Sequence, residues 1–182
     1  MEIKRNKEQQ RKFDDKIARA KQIKKSRQVP KFPLLGIDQA NLSGMAFQTD
    51  NMKEPKTELF DLSIGTKESQ GFKWLRWESR LRTFLKEKGI KALAYELPAG
   101  RNIKPIIHSS KLIAIIEKVC VELEIEYIEF SSSEVKKFAT GNGNANKEKM
   151  VEAAKKLWGY EGKDDNEADA LHILQLLKAK IL

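Results

Sequence analysis

An acidic residue inside the apolar face of the last predicted helix is the feature that most constrains this chain. Asp165 and Asp169 are four residues apart, so on a helix they lie one turn apart on the same face. Three apolar residues continue that face: Ile173, Leu176 and Leu177. A carboxylate beside a core is costly unless a cation or hydrogen-bond donors meet it. The fold must therefore bring a partner to Asp169.

The pattern of apolar runs and turn residues predicts an α/β sheet layered with helices. An initial antiparallel meander is followed by strands that alternate with helical crossovers, an order typical of this class. The predicted strands lie at 34–38, 45–47, 58–64, 91–96 and 125–130. The predicted helices lie at 68–88 and at about 105–123, and three more follow: one starts at 131, one ends at about 158, and one runs from 165 to the end.

The first predicted helix is amphipathic. Its predicted apolar face consists of Phe72, Leu75, Leu81, Phe84 and Leu85. Gly89 follows it as a helix-ending residue. The lone cysteine, Cys120, lies in an apolar run and is interpreted as a buried hydrophobe in a reducing, cytoplasmic setting.

Positive charge is concentrated in the first 32 residues. They hold 12 Lys/Arg and 4 Asp/Glu, a net charge of +8, whereas residues 33–182 carry a net +1. We therefore divide the chain into a basic arm at 1–32, partly helical or disordered, and one domain at 33–182. Such an arm favours a polyanion such as nucleic acid, with a merely solubilising tail as the alternative. No apolar run approaches the roughly 20 residues of a membrane span, so no membrane partner is expected.

Two further acids end predicted strands. Asp38 ends the first strand and Glu96 ends the fourth, and the carboxyl ends of neighbouring strands face a common crevice in such sheets. If the last helix packs beside that crevice, Asp165 and Asp169 join them. Four converging carboxylates require divalent cations, and an all-oxygen set suits Mg²⁺ or Mn²⁺. Two such ions form the clamp used for phosphodiester hydrolysis.

Each acid also has an ordinary structural interpretation. A strand-end acid such as Asp38 or Glu96 can simply precede a turn, and Asp164 or Asp165 can be a helix N-cap. Asp169 has no such role, because it lies inside the helix on the apolar side.

A second cluster combines glycines with lysines. Gly141 and Gly143 allow a backbone to approach a phosphate closely, and the helix that follows offers free N–H groups to an anion. Lys136 and Lys147 flank the loop. The alternative is an ordinary solvated loop with exposed lysines.

Three motifs resemble the RuvC-like Holliday junction resolvases of the RNase H-like superfamily, particularly the phage-type members. They are Leu35-Gly36-Ile37-Asp38 with Gly44-Met45-Ala46, the segment from Val135-Lys136 to Lys147, and Asp165-Asn166-Glu167-Ala168-Asp169-Ala170-Leu171. Their order and spacing cover residues 34–182. The resemblance implies an RNase H-like mixed five-stranded sheet flanked by helices, with the basic arm as an N-terminal extension.

The resemblance also implies an activity and a site. The activity is Mg²⁺-dependent, structure-selective DNA endonuclease chemistry that resolves four-way junctions, with two ions expected and Mn²⁺ able to substitute. Asp38, Glu96 and Asp169 would bind the metal, together with Asp165. Cellular members commonly place that fourth acid three residues before the last one, where this chain has Asn166.

The same resemblance implies how the protein meets its substrate. Lys147 would act at the scissile phosphate, and Lys136, Lys137 and Asn142 would contact DNA. A homodimer is implied because two symmetric nicks need two-fold symmetry, and the helix at 105–123 is the candidate dimer element. The segment 97–104 has no aromatic residue to match the family's stacking probe.

Two alternatives to a junction resolvase stay open. One is an RNase H-like nuclease that cuts RNA in RNA–DNA hybrids, and the other is a non-catalytic protein that binds branched DNA. The expected setting is the cytoplasm of a bacterial or phage-infected cell, in recombination or repair of DNA.

Overall fold

The computed structural model describes residues 32–181, so the predicted basic arm lies outside the described residues except for Phe32. The elements are β1 (Leu34–Asp38), β2 (Leu42–Gln48), β3 (Lys56–Asp61), α1 (Gln70–Glu87), β4 (Ala92–Leu97), α2 (Ile103–Leu123), β5 (Glu126–Ser131), α3 (Ser132–Thr140), α4 (Lys147–Trp158) and α5 (Asp165–Ile181).

The strands form one mixed five-stranded sheet in the order β3-β2-β1-β4-β5. β1 lies at its centre, antiparallel to β2 and parallel to β4, and β5 is parallel to β4. The parallel arrangement directs the ends of β1 and β4, and hence Asp38 and Glu96, to the same edge of the sheet. This confirms the predicted mixed sheet flanked by helices.

The sheet separates two apolar cores because successive strand residues point to opposite faces. On β1, Leu35 and Ile37 pack against α1 and α2, in a core that contains Trp77 and Cys120. Leu34 faces the other side, where α3, α4 and α5 pack. Cys120 is buried and free, as predicted, and burial raises the pKa of its thiol.

Helix α5 packs on β1 and β2 at two glycines that leave no room for a side chain. A Cβ on Gly36 would lie 2.4 Å from the carbonyl oxygen of Ala170, and a Cβ on Gly44 would lie 1.9 Å from that of Asn166. Both obstacles are backbone, which cannot rotate away. The helix that carries Asp165 and Asp169 is thereby held directly over the strand that ends at Asp38.

A buried histidine joins α4 to α5. His172 is fully buried; Trp158 Nε1 donates to its Nδ1 at 3.0 Å, and its Nε2 lies 2.9 Å from the carbonyl oxygen of Met150. Nδ1 is therefore the acceptor, and Nε2 carries the proton that it donates to Met150. This bridge fixes α4, which begins at Lys147, against the helix that carries the acids.

Two predicted boundaries and one predicted face are corrected. Strand β2 begins at Leu42, because Leu42 and Ser43 pair with Asp61 and Phe60 of β3 instead of forming a turn. Strand β3 covers 56–61 instead of 58–64. On α1, Phe72 and Leu75 are 56% and 65% exposed, whereas Trp77 is buried. The buried stripe begins at Lys73, whose Nζ donates to Asn41 at 2.6 Å.

None of the helices among residues 32–181 is long and apolar enough to cross a bilayer.

Replacement of either contact glycine is expected to displace α5. We predict that Gly44→Ala lowers the free energy of unfolding by about 3 kcal/mol or more, because the new Cβ would collide with backbone atoms of α5 that cannot move aside. Gly71→Ala in α1 is the matched control, since the nearest atom to its new Cβ is 3.5 Å away. Urea denaturation of both variants measures the difference. A Gly44→Ala protein with the wild-type midpoint contradicts the close helix–sheet contact.

Candidate active site

Asp38 lies at the last position of β1, beside Gly44 of β2 and beneath the start of α5. Burial is the largest cause that raises its pKa well above the usual range for an aspartate. Asp169, Glu96 and Asp165 raise it further, and Lys147 lowers it. The structure therefore brings all four predicted acids into one electrostatic cluster around Asp38.

Glu96 follows Tyr95 at the end of β4 and is half-buried. Burial raises its pKa, while a hydrogen bond from the side chain of Ser132 and the charge of Lys136 lower it. Ser132 is the first residue of α3, directly after the Ser131 cap of that helix. The start of α3 thus supplies both a donor and a cation to this carboxylate.

Asp169 has the environment that the sequence predicted. Burial, then Glu96 and Asp165, raise its pKa to about 7, against the opposing charges of Lys147 and Lys136. Its Oδ1 is buried and has no hydrogen-bond partner among the described residues. An unpaired buried carboxylate oxygen is costly, so this atom is well suited to accept a cation.

The structure separates the roles of Asp164 and Asp165. Asp164 is the N-cap of α5, because its Oδ1 accepts from the backbone N–H groups of Asn166 at 2.9 Å and Glu167 at 3.2 Å. Asp165 is then free to face the cluster, where its carboxylate pairs with the Nζ of Lys147. Asn166 lies with its carbonyl over Gly44 and so serves the helix–sheet contact through its backbone.

The lysine–glycine segment borders the acids. Gly141 ends α3 in the left-handed conformation, Asn142 Oδ1 accepts from the Asn144 N–H, and the Asn146 side chain caps α4. The Lys147 side chain pairs with Asp165 and is 75% exposed. Lys136 and Lys147 both act on Asp169, whereas Lys137 and Asn142 are exposed further along the same segment.

The donor set fits a hard divalent cation. Within residues 32–181, no three Asp, Glu, His or Cys side chains form a ready-made metal cluster. Burial first, and then the neighbouring carboxylates, raise the pKa values of Asp38 and Asp169. The set nevertheless offers only oxygen ligands, one of them buried and unpaired, and these are the ligands that Mg²⁺ and Mn²⁺ take.

Sequence reasoning missed two residues that touch the acids. Ser132 bonds Glu96, and Gln39 donates from its side chain to the backbone oxygen of Glu96. Ser132 lies in a serine run that indicated only a helix start. Gln39 directly follows Asp38, so its position was the one available signal, but nothing in the sequence reveals where its side chain points.

No family model matches the sequence, and no curated protein matches it. Solved structures do. Thermus thermophilus RuvC is 18% identical with a TM-score of 0.63, covering 79% of this chain and 91% of that one. T. thermophilus RuvC in complex with a Holliday junction substrate gives 16% identity, a TM-score of 0.67 and coverage of 81% and 96%.

A third match is the yeast mitochondrial Holliday junction resolvase Ydc2. It is 15% identical, with a TM-score of 0.59 and coverage of 89% of this chain and 87% of that one. Similarity at these identities concerns the fold. The chain has the RNase H-like fold of the RuvC-type resolvases, as its three motifs predicted.

Proposed function

We propose that this protein is a metal-dependent DNA endonuclease that cuts four-way and related branched junctions. The observation that carries the proposal is the convergence of Asp38, Glu96, Asp165 and Asp169 at one edge of a RuvC-like sheet, with the Oδ1 of Asp169 buried and unpaired. A RuvC of the same fold has been solved with a Holliday junction substrate. Intact acids together with that fold favour cleavage over binding alone.

Each residue has a role in this chemistry. Asp38, Glu96, Asp165 and Asp169 would hold two Mg²⁺ ions, for which Mn²⁺ can substitute. Such ions, when bound, activate water and stabilise the leaving oxygen in phosphodiester hydrolysis. Lys147, which pairs with Asp165, would offset charge on the phosphate.

DNA would approach over the α3–α4 loop. In this proposal Lys136, Lys137 and Asn142 contact the DNA. An open groove beside Lys147 continues between α4 and the start of α5, lined by Lys155 and Lys163 together with Glu148 and Glu152. Backbone phosphates are attracted to such cations without regard to sequence. The basic residues before position 32 would add further nonspecific affinity.

A homodimer is part of the proposal because two strands of a junction must be cut symmetrically. Helix α2 is the candidate dimer element. Ile103 and Ile107 in its first two turns are 66% and 48% exposed, so this end of the helix offers apolar surface for a contact.

The first prediction from the proposed function concerns the acids that would bind the metal. With Mg²⁺, Asp38→Asn and Asp169→Asn should each slow symmetric nicking of a synthetic four-way junction by at least about 100-fold, since each removes a carboxylate that would hold the ions at the reacting phosphate. Binding of the junction should persist. Asp50→Asn is the control: Asp50 is exposed in the β2–β3 connection, at the end of the sheet opposite the acids.

Parallel assays on a linear duplex and an RNA–DNA hybrid separate the alternatives. Preferential cutting of the hybrid would identify an RNase H-like nuclease. Junction binding by the wild-type protein without any cleavage, in Mg²⁺ or Mn²⁺, would identify a non-catalytic binding protein.

The second prediction concerns pH. Metal and protons compete for the same oxygens, and the pKa of Asp169 is about 7. Mn²⁺ affinity measured by calorimetry should therefore weaken as pH falls below about 7, and cleavage at subsaturating Mg²⁺ should slow in parallel. An affinity that is constant between pH 5.5 and 8 contradicts the raised pKa.

The raised pKa of Asp169 also affects the free energy of unfolding of the protein when no metal is bound. The folded pKa of Asp169 exceeds its ordinary value of 3.8, so the folded chain binds more protons than the unfolded chain between about pH 4 and 7. Asp169 thus contributes stability at low pH that is lost as pH rises through about 7, by up to about 4 kcal/mol. Comparison of wild type with Asp169→Asn by urea denaturation isolates this contribution, because other titrating groups are common to both.

The third prediction concerns the dimer. Ile107→Glu places a charge on the proposed contact and should yield a monomer that makes single instead of paired nicks. Leu157→Glu is the control, because Leu157 is equally exposed but lies on α4. Light scattering after size exclusion gives the mass. If the Ile107→Glu protein remains dimeric, α2 is not the contact.

A further inference from the structure

The two strand-end acids lie where the backbone no longer joins their strands. β1 and β4 pair from Leu34 opposite Ala92 up to Ile37 opposite Tyr95, and their ladder ends there. One residue later come Asp38 and Glu96. Each is still paired on its outer side, Asp38 with Gly44 of β2 and Glu96 with Phe130 of β5. The inner side, across which the two carboxylates face one another, has no backbone ladder.

Repulsion acts across that gap. Carboxylates on neighbouring strand ends repel one another when both are ionised. Neighbouring strands in a twisted sheet also diverge towards their ends. A shared metal site requires the opposite, a fixed and short separation of the two strand ends.

Gln39 spans the gap. It directly follows Asp38, is 6% exposed, and its Nε2 donates to the backbone oxygen of Glu96 at 2.5 Å and to Ser109 Oγ at 2.9 Å. A primary amide has two N–H donors, and both are used. The side chain therefore ties the end of β1 to the end of β4 and ties both to α2.

The orientation of this amide is determined by its partners. The Glu96 backbone oxygen can only accept, so the nitrogen and not the oxygen of the amide must face it. In this orientation, Gln39 Oε1 is buried without a hydrogen-bond partner among the described residues. An apolar side chain of similar length would avoid the free-energy cost of burying that unpaired oxygen. Packing alone thus does not account for glutamine here.

We infer that Gln39 is a positioning residue that sets the separation of Asp38 and Glu96 and thereby the metal affinity of the site. It touches neither metal nor substrate; it acts through the backbone of Glu96 and through Ser109. The inference rests on the proposed metal-dependent function.

Gln39→Met tests the inference, because methionine keeps the length of the side chain and removes both donors. Mutation of a residue that hydrogen-bonds to a metal ligand typically lowers metal affinity by about 10- to 100-fold. We expect the Mn²⁺ dissociation constant from calorimetry to rise by about that factor, and the Mg²⁺ concentration for half-maximal junction cleavage to rise in parallel. The rate at saturating Mg²⁺ and the junction affinity should change much less.

Gln48→Met is the matched control. Gln48 is also buried, at 7% exposure, and its Nε2 also donates to backbone oxygens, those of Met52 and Lys53. It pairs with Leu34, at the opposite end of β1 from Asp38. The control loses a buried amide too, together with the hydrogen bond that Lys178 Nζ of α5 donates to its Oε1 at 2.9 Å. Because these contacts lie far from Asp38, it should leave metal affinity unchanged.

A milder variant covers the case in which Gln39→Met does not fold. Ser109→Ala removes one of the two acceptors and leaves the bond to Glu96, so it should weaken Mn²⁺ binding in the same direction but less. Wild-type Mn²⁺ affinity in a folded Gln39→Met protein, or an equal loss in Gln48→Met, would overturn the inference.

The two proposals fail in different ways. If the wild-type protein binds Mn²⁺ but cuts no substrate, the endonuclease proposal fails, and the calorimetric comparison still decides the role of Gln39. If the wild-type protein cuts junctions and Gln39→Met matches it in metal dependence, the positioning role fails and the endonuclease proposal stands.

Discussion

The close contact of α5 with β1 and β2 is the constraint on which the site depends. Gly36 and Gly44 allow the backbone of the helix to lie against the backbone of the sheet, at Ala170 and Asn166. A Cβ at either position would lift the helix, and with it Asp165 and Asp169, away from Asp38. These glycines are therefore needed for space, not for unusual backbone angles, and the position of the acidic cluster follows from helix packing.

The cluster itself opposes folding when no metal is present. Burial raises the pKa values of Asp38, Glu96 and Asp169, and neighbouring carboxylates raise those of Asp38 and Asp169 further, so each is less stable as an anion than in water. The protein offsets part of this cost with Lys136, Lys147 and the hydroxyl of Ser132. The rest remains unbalanced, and a divalent cation is the group that would balance it.

Much of the fold and the site was predictable because it follows from local pattern. Strand-end acids, a capped final helix and an acid inside an apolar stripe are visible along the chain. The sheet confirms the predicted architecture, and the four acids lie in one electrostatic cluster. Asp165 was ambiguous because an acid at a helix start serves equally as a cap or a ligand. The structure resolved it through a neighbour, since Asp164 accepts both cap hydrogen bonds. On α1, Leu81, Phe84 and Leu85 are buried as predicted, but Phe72 and Leu75 are exposed and Lys73 and Trp77 are buried instead. Periodicity did not separate these overlapping stripes.

The sequence by itself determined which residue types end the strands and begin the helices, and so which carboxylates could meet, because these choices depend on spacing and on residues next to one another. Only the tertiary structure decided the contacts between distant segments: Gln39 with Glu96, Ser132 with Glu96, and Lys147 with Asp165. The directions of polar side chains depend on which backbone oxygens and charges the fold brings near them. That information does not exist until the strands and helices have packed.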